Sequence, residues 1–134
     1  MTSQVDWDML RDKAITAMRN AYAPYSSFPV GAAALVDDGR LVHGCNVENV
    51  SYGLGVCAEV TLAGNLAVTG GGRLVAVSVC DSRGELLMPC GRCRQVLLEH
   101  GGVELLVASP AGPRRLGDLL PDAFGPQDLS GGRL

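Results

Sequence analysis

The fold is decided by residues 57–108, which read CAEVTLAGNLAVTGGGRLVAVSVCDSRGELLMPCGRCRQVLLEHGGVELLVA. Helical patterns predict helices over 57–68 and 90–100. Short runs rich in Val and Leu, which suit a buried sheet, predict strands over 74–80 and 103–108. Because strands alternate with helices, this stretch predicts an α/β fold whose sheet is covered by helices on both faces.

The residues before this stretch add a helix and a hairpin. An amphipathic helix is predicted over 5–22, with Asp6 as its N-cap and Pro24 as its stop. Strands over 30–36 and 41–47 follow, and the Asp-Asp-Gly-Arg sequence between them favours a hairpin turn. The predicted order is therefore helix, hairpin, helix, strand, helix, strand.

The composition is that of a globular domain. The chain has 134 residues, of which 47% are hydrophobic and 19% charged, and this balance excludes a disordered protein. We predict a single domain over residues 1–134, with a polar, flexible tail from about residue 126. No stretch approaches the roughly 20 apolar residues of a membrane span. Residues 1–12 lack the basic and apolar regions of a signal peptide, which predicts a cytoplasmic protein.

Charge narrows the choice of binding partner. The chain has 11 basic and 14 acidic residues, a net charge of −3, and no basic run exceeds Arg114-Arg115. A surface that follows phosphates needs clustered positive charge. We therefore expect neither nucleic acid nor a membrane as partner, and we favour a small neutral or weakly charged ligand.

Five cysteines, an odd number, indicate metal ligands, reactive thiols or buried side chains before disulfides. Two fragments, Cys57-Ala58-Glu59 and Pro89-Cys90-Gly91-Arg92-Cys93, lie where the pattern places the start of a helix. There the helix dipole and free backbone N–H groups lower thiol pKa values, which favours thiolate ligands for zinc.

The Cys-x-x-Cys pair alone leaves alternatives open, since it also occurs in redox dithiols and in structural zinc sites. Cys57 would add a third ligand, and three ligands leave one tetrahedral position open, as in catalytic zinc sites. Glu59 could then hydrogen-bond a water in that position without binding the metal. Cys45 and Cys80 lie in apolar strands and are predicted to be core residues.

These fragments resemble the signature of the zinc-dependent nucleobase deaminases, Cys-x-Glu followed by Pro-Cys-x-x-Cys. Further segments are similar to the small homotetrameric cytidine deaminases: PYSSFPVGAA at 24–33, GCNVENVSY at 44–52, PCGRCRQVL at 89–97 and LLPDAFG at 119–125. The similarity extends from about residue 6 to about residue 129, which is nearly the whole chain.

The resemblance implies a three-layer α/β/α sandwich around a mixed sheet of about five strands. It implies one Zn²⁺ per subunit and the hydrolytic deamination of cytidine and 2′-deoxycytidine to uridine and 2′-deoxyuridine, with release of ammonia, in pyrimidine salvage. It also implies a homotetramer whose active sites lie at subunit interfaces. The acidic net charge agrees with a free nucleoside as substrate.

The same resemblance assigns the catalytic centre. Cys57, Cys90 and Cys93 would hold zinc, and the alternative is three buried small side chains. Glu59 would take a proton from the attacking water and deliver it to the pyrimidine ring, and the alternative is a solvent-facing helix carboxylate.

Substrate-binding residues also follow from the resemblance. Asn46 and Glu48 would hydrogen-bond the ribose 3′-hydroxyl, since alternate residues of a strand project to one face. Phe28 would pack against the pyrimidine ring, and Ala58 would contact the substrate. The alternatives are a strand-end Asn, a surface Glu and a core Phe.

Two aromatic residues match positions that reach across subunit interfaces in the tetrameric family. Tyr52 and Phe124 would therefore contact the active site of a neighbouring subunit. Packing within their own chain is the alternative for each of them.

One position departs from the family. Many members carry Arg directly after the catalytic Glu, whereas this chain has Val60. Three thiolates on Zn²⁺ leave a net charge of −1, and the family Arg is thought to offset this charge by hydrogen-bonding the ligand sulfurs. We expect Arg94 or backbone N–H groups at the helix N-termini to take this role.

Two other functions fit the same motifs. A relative acting on another cytosine compound, such as a nucleoside antibiotic, would use the same ligands. A structural zinc or redox module would instead need Cys45 or Cys80 as a fourth ligand, or a disulfide between Cys90 and Cys93. Deamination of a polynucleotide is disfavoured, because the chain lacks a basic groove.

Overall fold

The computed structural model describes residues 5–129. The helices are α1 (Trp7–Met18), α2 (Ala58–Val68), α3 (Gly91–Gly101), α4 (Leu116–Leu119) and α5 (Pro126–Leu129), and the strands are β1 (Gly31–Val36), β2 (Leu41–Cys45), β3 (Leu74–Cys80), β4 (Leu106–Val107) and β5 (Arg114–Arg115). A 3₁₀ turn at Tyr52–Leu54 precedes α2. Within the described range, no helix combines the length and the apolar character needed to cross a membrane.

The strands form one mixed sheet in the order β2-β1-β3-β4-β5. β1 pairs antiparallel with both β2 and β3, so that Ala33 lies between His43 and Ser78. β3 and β4 run parallel, and β5 returns antiparallel beside β4. A parallel pair needs a crossover connection, which contains α3 here. The predicted mixed sheet of five strands is confirmed.

Helices cover both faces of this sheet. On one face, α1 packs on small side chains in a cluster made of Leu10, Ala14, Ala33, Ala76 and Cys80. The opposite face packs against α2 and α3 in a larger cluster, which includes Ala32, Ala34, Val77 and Val79 from the strands and Leu62, Leu66 and Leu97 from the helices. Successive residues of a strand thus pack against helices on opposite faces of the sheet. The predicted three-layer sandwich is confirmed, and Cys80 lies in its core.

α1 is shorter than its pattern predicts. Asp6 caps it as expected, because its carboxylate accepts a hydrogen bond from an amide of the first turn at 3.0 Å. The helix ends at Met18, well before Pro24. Tyr22 instead donates its backbone N–H to the Asn46 carbonyl at 3.0 Å. This pairing with a distant segment overrides the helical spacing.

The strands also differ from their predicted lengths. β2 ends at Cys45, two residues early, and β4 comprises only Leu106–Val107. β5 was not predicted, because two exposed Arg residues carry no apolar alternation. The predicted tail begins with α5, and residues 130–134 lie outside the described range. The division into a single domain stays a prediction.

Candidate active site

Three cysteine sulfurs meet where α2 and α3 begin. Cys57 is the N-cap residue of α2, Cys90 is that of α3, and Cys93 lies in the first turn of α3. Their Sγ atoms all lie within 4.8 Å of one another. Thiolates placed tetrahedrally at about 2.3 Å from zinc are about 3.8 Å apart, so the cluster fits zinc in size and donor chemistry. Cys45 and Cys80 are outside this cluster.

The helix starts affect the three thiols differently. The backbone N–H of Cys93 lowers the pKa of the Cys90 thiol, the most exposed of the three. Burial raises the pKa of Cys57 and also that of Cys93, where the nearby charge of Glu59 adds to the effect. Backbone N–H groups at the start of α3 therefore favour a thiolate at Cys90, whereas burial raises the pKa values of the Cys57 and Cys93 thiols.

Glu59 lies beside the cluster in a small cavity. It belongs to the first turn of α2, and only 3% of its surface is exposed. The cavity measures about 170 Å³ and is lined by Val30, Asn46, Cys57, Glu59, Leu87, Met88, Cys90 and Cys93. Burial raises the pKa of the Glu59 carboxyl above its ordinary value. Such a group is suited to accepting and returning a proton near neutral pH.

The hydrogen bonds of Arg94 go to carbonyl oxygens rather than to sulfur. Its Nε donates to the Pro89 carbonyl at 2.7 Å, and its Nη1 donates to the Leu119 carbonyl at 2.8 Å. Of the two substitutes expected for the Arg missing at Val60, the backbone N–H groups of Cys93 and Arg92 lower the pKa of a ligand thiol, that of Cys90. Arg94 makes a different set of contacts.

Asn46 lines the cavity that contains the cysteines. Its Oδ1 accepts a hydrogen bond from the Val30 N–H at 2.9 Å, and its Nδ2 donates to the Phe28 carbonyl at 3.0 Å. A carboxamide can make four hydrogen bonds. The backbone therefore orients this side chain and leaves it capacity for a ligand.

Glu48 lies at a second cavity of about 310 Å³, which is lined by Tyr25, Ser26, Glu48, Asn49, Tyr52 and Gly55. Its carboxylate accepts hydrogen bonds from the Ser26 hydroxyl and from the Tyr25 and Ser26 amides, and the Ser26 hydroxyl lowers its pKa most. The Phe28 N–H in turn donates to the Ser26 Oγ at 3.0 Å. Sequence reasoning did not identify Ser26 as a site residue. The signal that could have identified it is its position in the 24–33 segment, which resembles the family.

The predicted aromatic contacts lie mostly on the surface. Exposed fractions are 51% for Phe28, 82% for Tyr52 and 61% for Phe124. Tyr52 lines the same cavity as Glu48, and its ring centroid is 6.3 Å from that of Tyr25. Phe28 and Phe124 line neither cavity. Ala58 is fully buried at the start of α2.

The apolar wall of the cysteine cavity was also missed from sequence. Leu87 and Met88 belong to the loop between β3 and α3, where the local sequence shows no periodicity. The Leu87 N–H donates to the Val79 carbonyl at 2.8 Å, which draws this loop along the end of β3. Because that contact depends on tertiary pairing, no local signal marks these residues as part of the site.

The fold and the cysteine cluster beside a buried Glu define a zinc-dependent deaminase. Residues 6–109 match the family described as the cytidine and deoxycytidylate deaminase zinc-binding region, and the chain belongs to this family. It is 68% identical over 125 residues to a cytidine deaminase from Mycobacterium tuberculosis, covering 93% of this chain and 94% of the relative.

Solved structures show the same similarity. The crystal structure of cytidine deaminase from Mycobacterium tuberculosis has a TM-score of 0.90 at 68% identity, covering 91% of this chain and 99% of that chain. The cytidine deaminase from Mycobacterium leprae has a TM-score of 0.86 at 57% identity, covering 88% and 99% respectively. These relatives span nearly the same length as this chain.

Proposed function

We propose that this chain catalyses the zinc-dependent hydrolytic deamination of cytidine and 2′-deoxycytidine to uridine and 2′-deoxyuridine, with release of ammonia. The observation that carries the proposal is the buried Glu59 in the same cavity as three cysteine sulfurs. Three ligands leave a fourth tetrahedral position for a reactant. A cavity of about 170 Å³ with an apolar wall suits a pyrimidine ring.

The cysteines and Glu59 divide the chemistry. Cys57, Cys90 and Cys93 hold the zinc, which when bound supplies Lewis-acid activation of water at neutral pH. Glu59 accepts a proton as the water oxygen adds to C4 of the pyrimidine, and it delivers that proton to N3. A further proton transfer lets the C4 amine leave as ammonia, and the C4 carbonyl forms.

Residues around the two cavities position the nucleoside. Asn46 and Glu48 hydrogen-bond the ribose 3′-hydroxyl. Contacts of Phe28 and Ala58 with the pyrimidine would require these residues to move on binding, since Phe28 lines neither cavity and Ala58 is fully buried. Recognition through the 3′-hydroxyl leaves the 2′ position without a required partner. This supports the use of both cytidine and 2′-deoxycytidine.

The functional unit is a homotetramer with active sites at its interfaces. Support comes from the exposed side chains of Tyr25 and Tyr52, which line the Glu48 cavity, and of Val50 and Leu54, which are next in sequence to Asn49 and Gly55 of its lining. Exposed apolar clusters of this kind mark interaction surfaces. Tyr52 and Phe124 would contact the neighbouring subunit's site.

The enzyme acts in the cytoplasm, in pyrimidine salvage. The described chain holds five free cysteines and no disulfide, and thiolate ligands persist in a reducing compartment. Deamination of a free nucleoside returns it to the uridine pool. The substrate class therefore supports a salvage role.

The test is the Glu59→Gln variant, with cytidine and 2′-deoxycytidine as substrates. Because Gln is isosteric but cannot carry the proton, kcat should fall by about 10²–10⁴-fold, while zinc content and thermal stability stay unchanged. Turnover is followed by the loss of cytidine absorbance and by ammonia release. Glu99→Gln, an exposed carboxylate on α3, is the matched control and should leave kcat unchanged.

Two results would overturn the proposal. One is full activity in Glu59→Gln. The other is the absence of turnover of any free cytosine nucleoside by the zinc-loaded wild-type chain. Turnover of a different cytosine compound alone would instead support the alternative substrate class.

A further inference from the structure

Arg94 holds the backbone on both sides of the ligand Cys90. Its guanidinium Nε donates to the carbonyl of Pro89 at 2.7 Å, and its own backbone N–H donates to the carbonyl of Cys90 at 2.9 Å. The peptide bond between Pro89 and Cys90 lies outside α3, so the helix itself does not hold the Pro89 carbonyl. The guanidinium supplies the missing partner.

Cys90 is the ligand that most needs such support. It is exposed, whereas Cys57 is half-buried and Cys93 is buried inside α3. As the N-cap residue, it has an extended backbone, with φ of −66° and ψ of 168°. Packing around an exposed residue restricts its backbone less than packing around a buried one. The Arg94 contact fixes the peptide group that precedes Cys90.

The same guanidinium ties a second segment to α3. Its Nη1 donates at 2.8 Å to the carbonyl of Leu119, the last residue of α4, where helical carbonyls lack an internal partner. The next residue, Gln95, donates its Nε2 to the Phe124 carbonyl at 2.8 Å. Residues 94 and 95 therefore bind the backbone of 119–124 to the helix that carries two metal ligands.

We infer that Arg94 is a positioning residue that holds Cys90 in its zinc-binding geometry and joins the 119–124 segment to the metal centre. The inference rests on the proposed function of the cysteine cluster as a zinc site. The inference is based on the planar guanidinium, which donates to two carbonyls in fixed directions. The ammonium group of Lys, on its flexible stem, does not have this fixed geometry. Arg94 thus acts by fixing the backbone geometry of the site. An effect of its charge on the sulfurs would not depend on these two hydrogen bonds.

The experiment compares three variants of the zinc-loaded protein. Arg94→Gln removes both the charge and the planar guanidinium, and Arg94→Lys keeps the charge. Arg92→Gln, the control, removes the charge of an exposed residue between Cys90 and Cys93, whose side chain makes no hydrogen bond in the described structure. Zinc release to a chromogenic chelator is followed without substrate. Groups that orient metal ligands typically contribute about 10–100-fold to metal affinity or activity, so both Arg94 variants should release zinc about 10-fold faster or more. Arg92→Gln should behave as the wild type.

A second measurement separates geometry from general stability. Each protein is loaded with Co²⁺, whose visible absorption bands report the arrangement of its thiolate ligands. The bands should change in both Arg94 variants and stay unchanged in Arg92→Gln. Wild-type zinc release and spectra in Arg94→Lys would overturn the inference, whether or not Arg94→Gln is affected. Both readouts are independent of deamination, so failure of the proposed reaction leaves this test intact.

Discussion

At the scale of single residues, the buried carboxylate of Asp81 holds the turn that follows β3. It follows β3 directly and is only 3% exposed. Its Oδ1 accepts hydrogen bonds from the amides of Arg83 at 2.9 Å and Glu85 at 3.0 Å, and its Oδ2 pairs with the Arg83 guanidinium at 3.2 Å. These contacts fix the turn from which the chain runs to Cys90.

Asp81→Asn should destabilise the fold near neutral pH and have less effect in acid. Burial by itself would raise the pKa of Asp81, but the hydrogen bonds from the two amides and Arg83 bring this pKa below its ordinary value. Such a carboxyl stabilises the fold above its unfolded pKa of about 3.9, and this stabilisation is lost as the pH falls through the folded pKa.

The measurement is urea unfolding of both proteins at about pH 7 and about pH 3, the range set by the carboxyl pKa. Asp118→Asn, which changes an exposed carboxyl, is the control. Equal destabilisation by Asp81→Asn at both pH values would contradict the electrostatic argument.

Residue-scale prediction from sequence worked where the chemistry is local. Cys57 and Glu59 share one motif and Cys90 and Cys93 share another, and the resemblance to the deaminase signature joined the two motifs into one site. The bond from the Ser26 hydroxyl to Glu48 joins residues 22 positions apart. No spacing rule reveals that contact, because both side chains lie in irregular segments.

At the scale of elements, a glycine in β2 sets the position of α2. A Cβ atom on Gly44 would lie 2.5 Å from the Ala58 carbonyl oxygen and also overlap the Leu62 amide nitrogen. The helix backbone therefore crosses the strand at a distance that only glycine permits. Because Cys57 and Glu59 stand at the start of α2, this approach sets their depth beside the sheet.

Gly44→Ala should destabilise the protein by about 1–3 kcal/mol, because the added methyl group must displace the backbone of α2. Gly64→Ala on the same helix is the matched control, since a Cβ there meets nothing within 4 Å. Alanine should raise stability at that position by about 0.5–1 kcal/mol. Urea unfolding at constant zinc loading measures both. A shift of both midpoints in the same direction would refute the packing argument.

The elements predicted best are those with the strongest local pattern. β3 matches its predicted bounds, and α2 and α3 each begin one residue after their predicted starts. The end of α1 and the length of β4 were wrong, since both depend on which distant backbone pairs with them. Local periodicity therefore predicts the elements and leaves their ends to tertiary pairing.

At the scale of the whole molecule, two aromatic side chains that the resemblance assigns to subunit interfaces are exposed in the single chain. Tyr52 is 82% exposed and Phe124 is 61% exposed, although both belong to segments that resemble the family. Phe124 is held by its backbone to α3 and lines neither cavity of its own chain. These positions are consistent with the proposed contacts to a neighbouring subunit.

Mixing two impaired variants should restore activity if neighbouring subunits complete each site. Glu59→Gln and Phe124→Ala are expected to be weakly active alone, and random coassembly would return about a quarter of the sites with both groups intact. Activity is measured after co-refolding, and light scattering reports the oligomeric state.

The matched control mixes Glu59→Gln with Cys93→Ser. Because those two residues serve the same chain's site, no hybrid contains a complete site and activity should stay low. Equal recovery in the control, or no recovery in the main pair, would reject the shared site. A monomer by light scattering would reject it independently.

By itself, the sequence determined the α/β class through its alternating strands and helices. Its resemblance to the deaminase signature indicated the family, the Cys₃ cluster and the adjoining Glu59, because that signature consists of short segments. Tertiary structure alone decided that Arg94 binds carbonyls instead of sulfurs, that Ser26 holds Glu48, and where α1 ends. These features depend on backbone groups brought together from distant parts of the chain. A local pattern cannot specify such partners, since the hydrogen bonds form only when the layers pack.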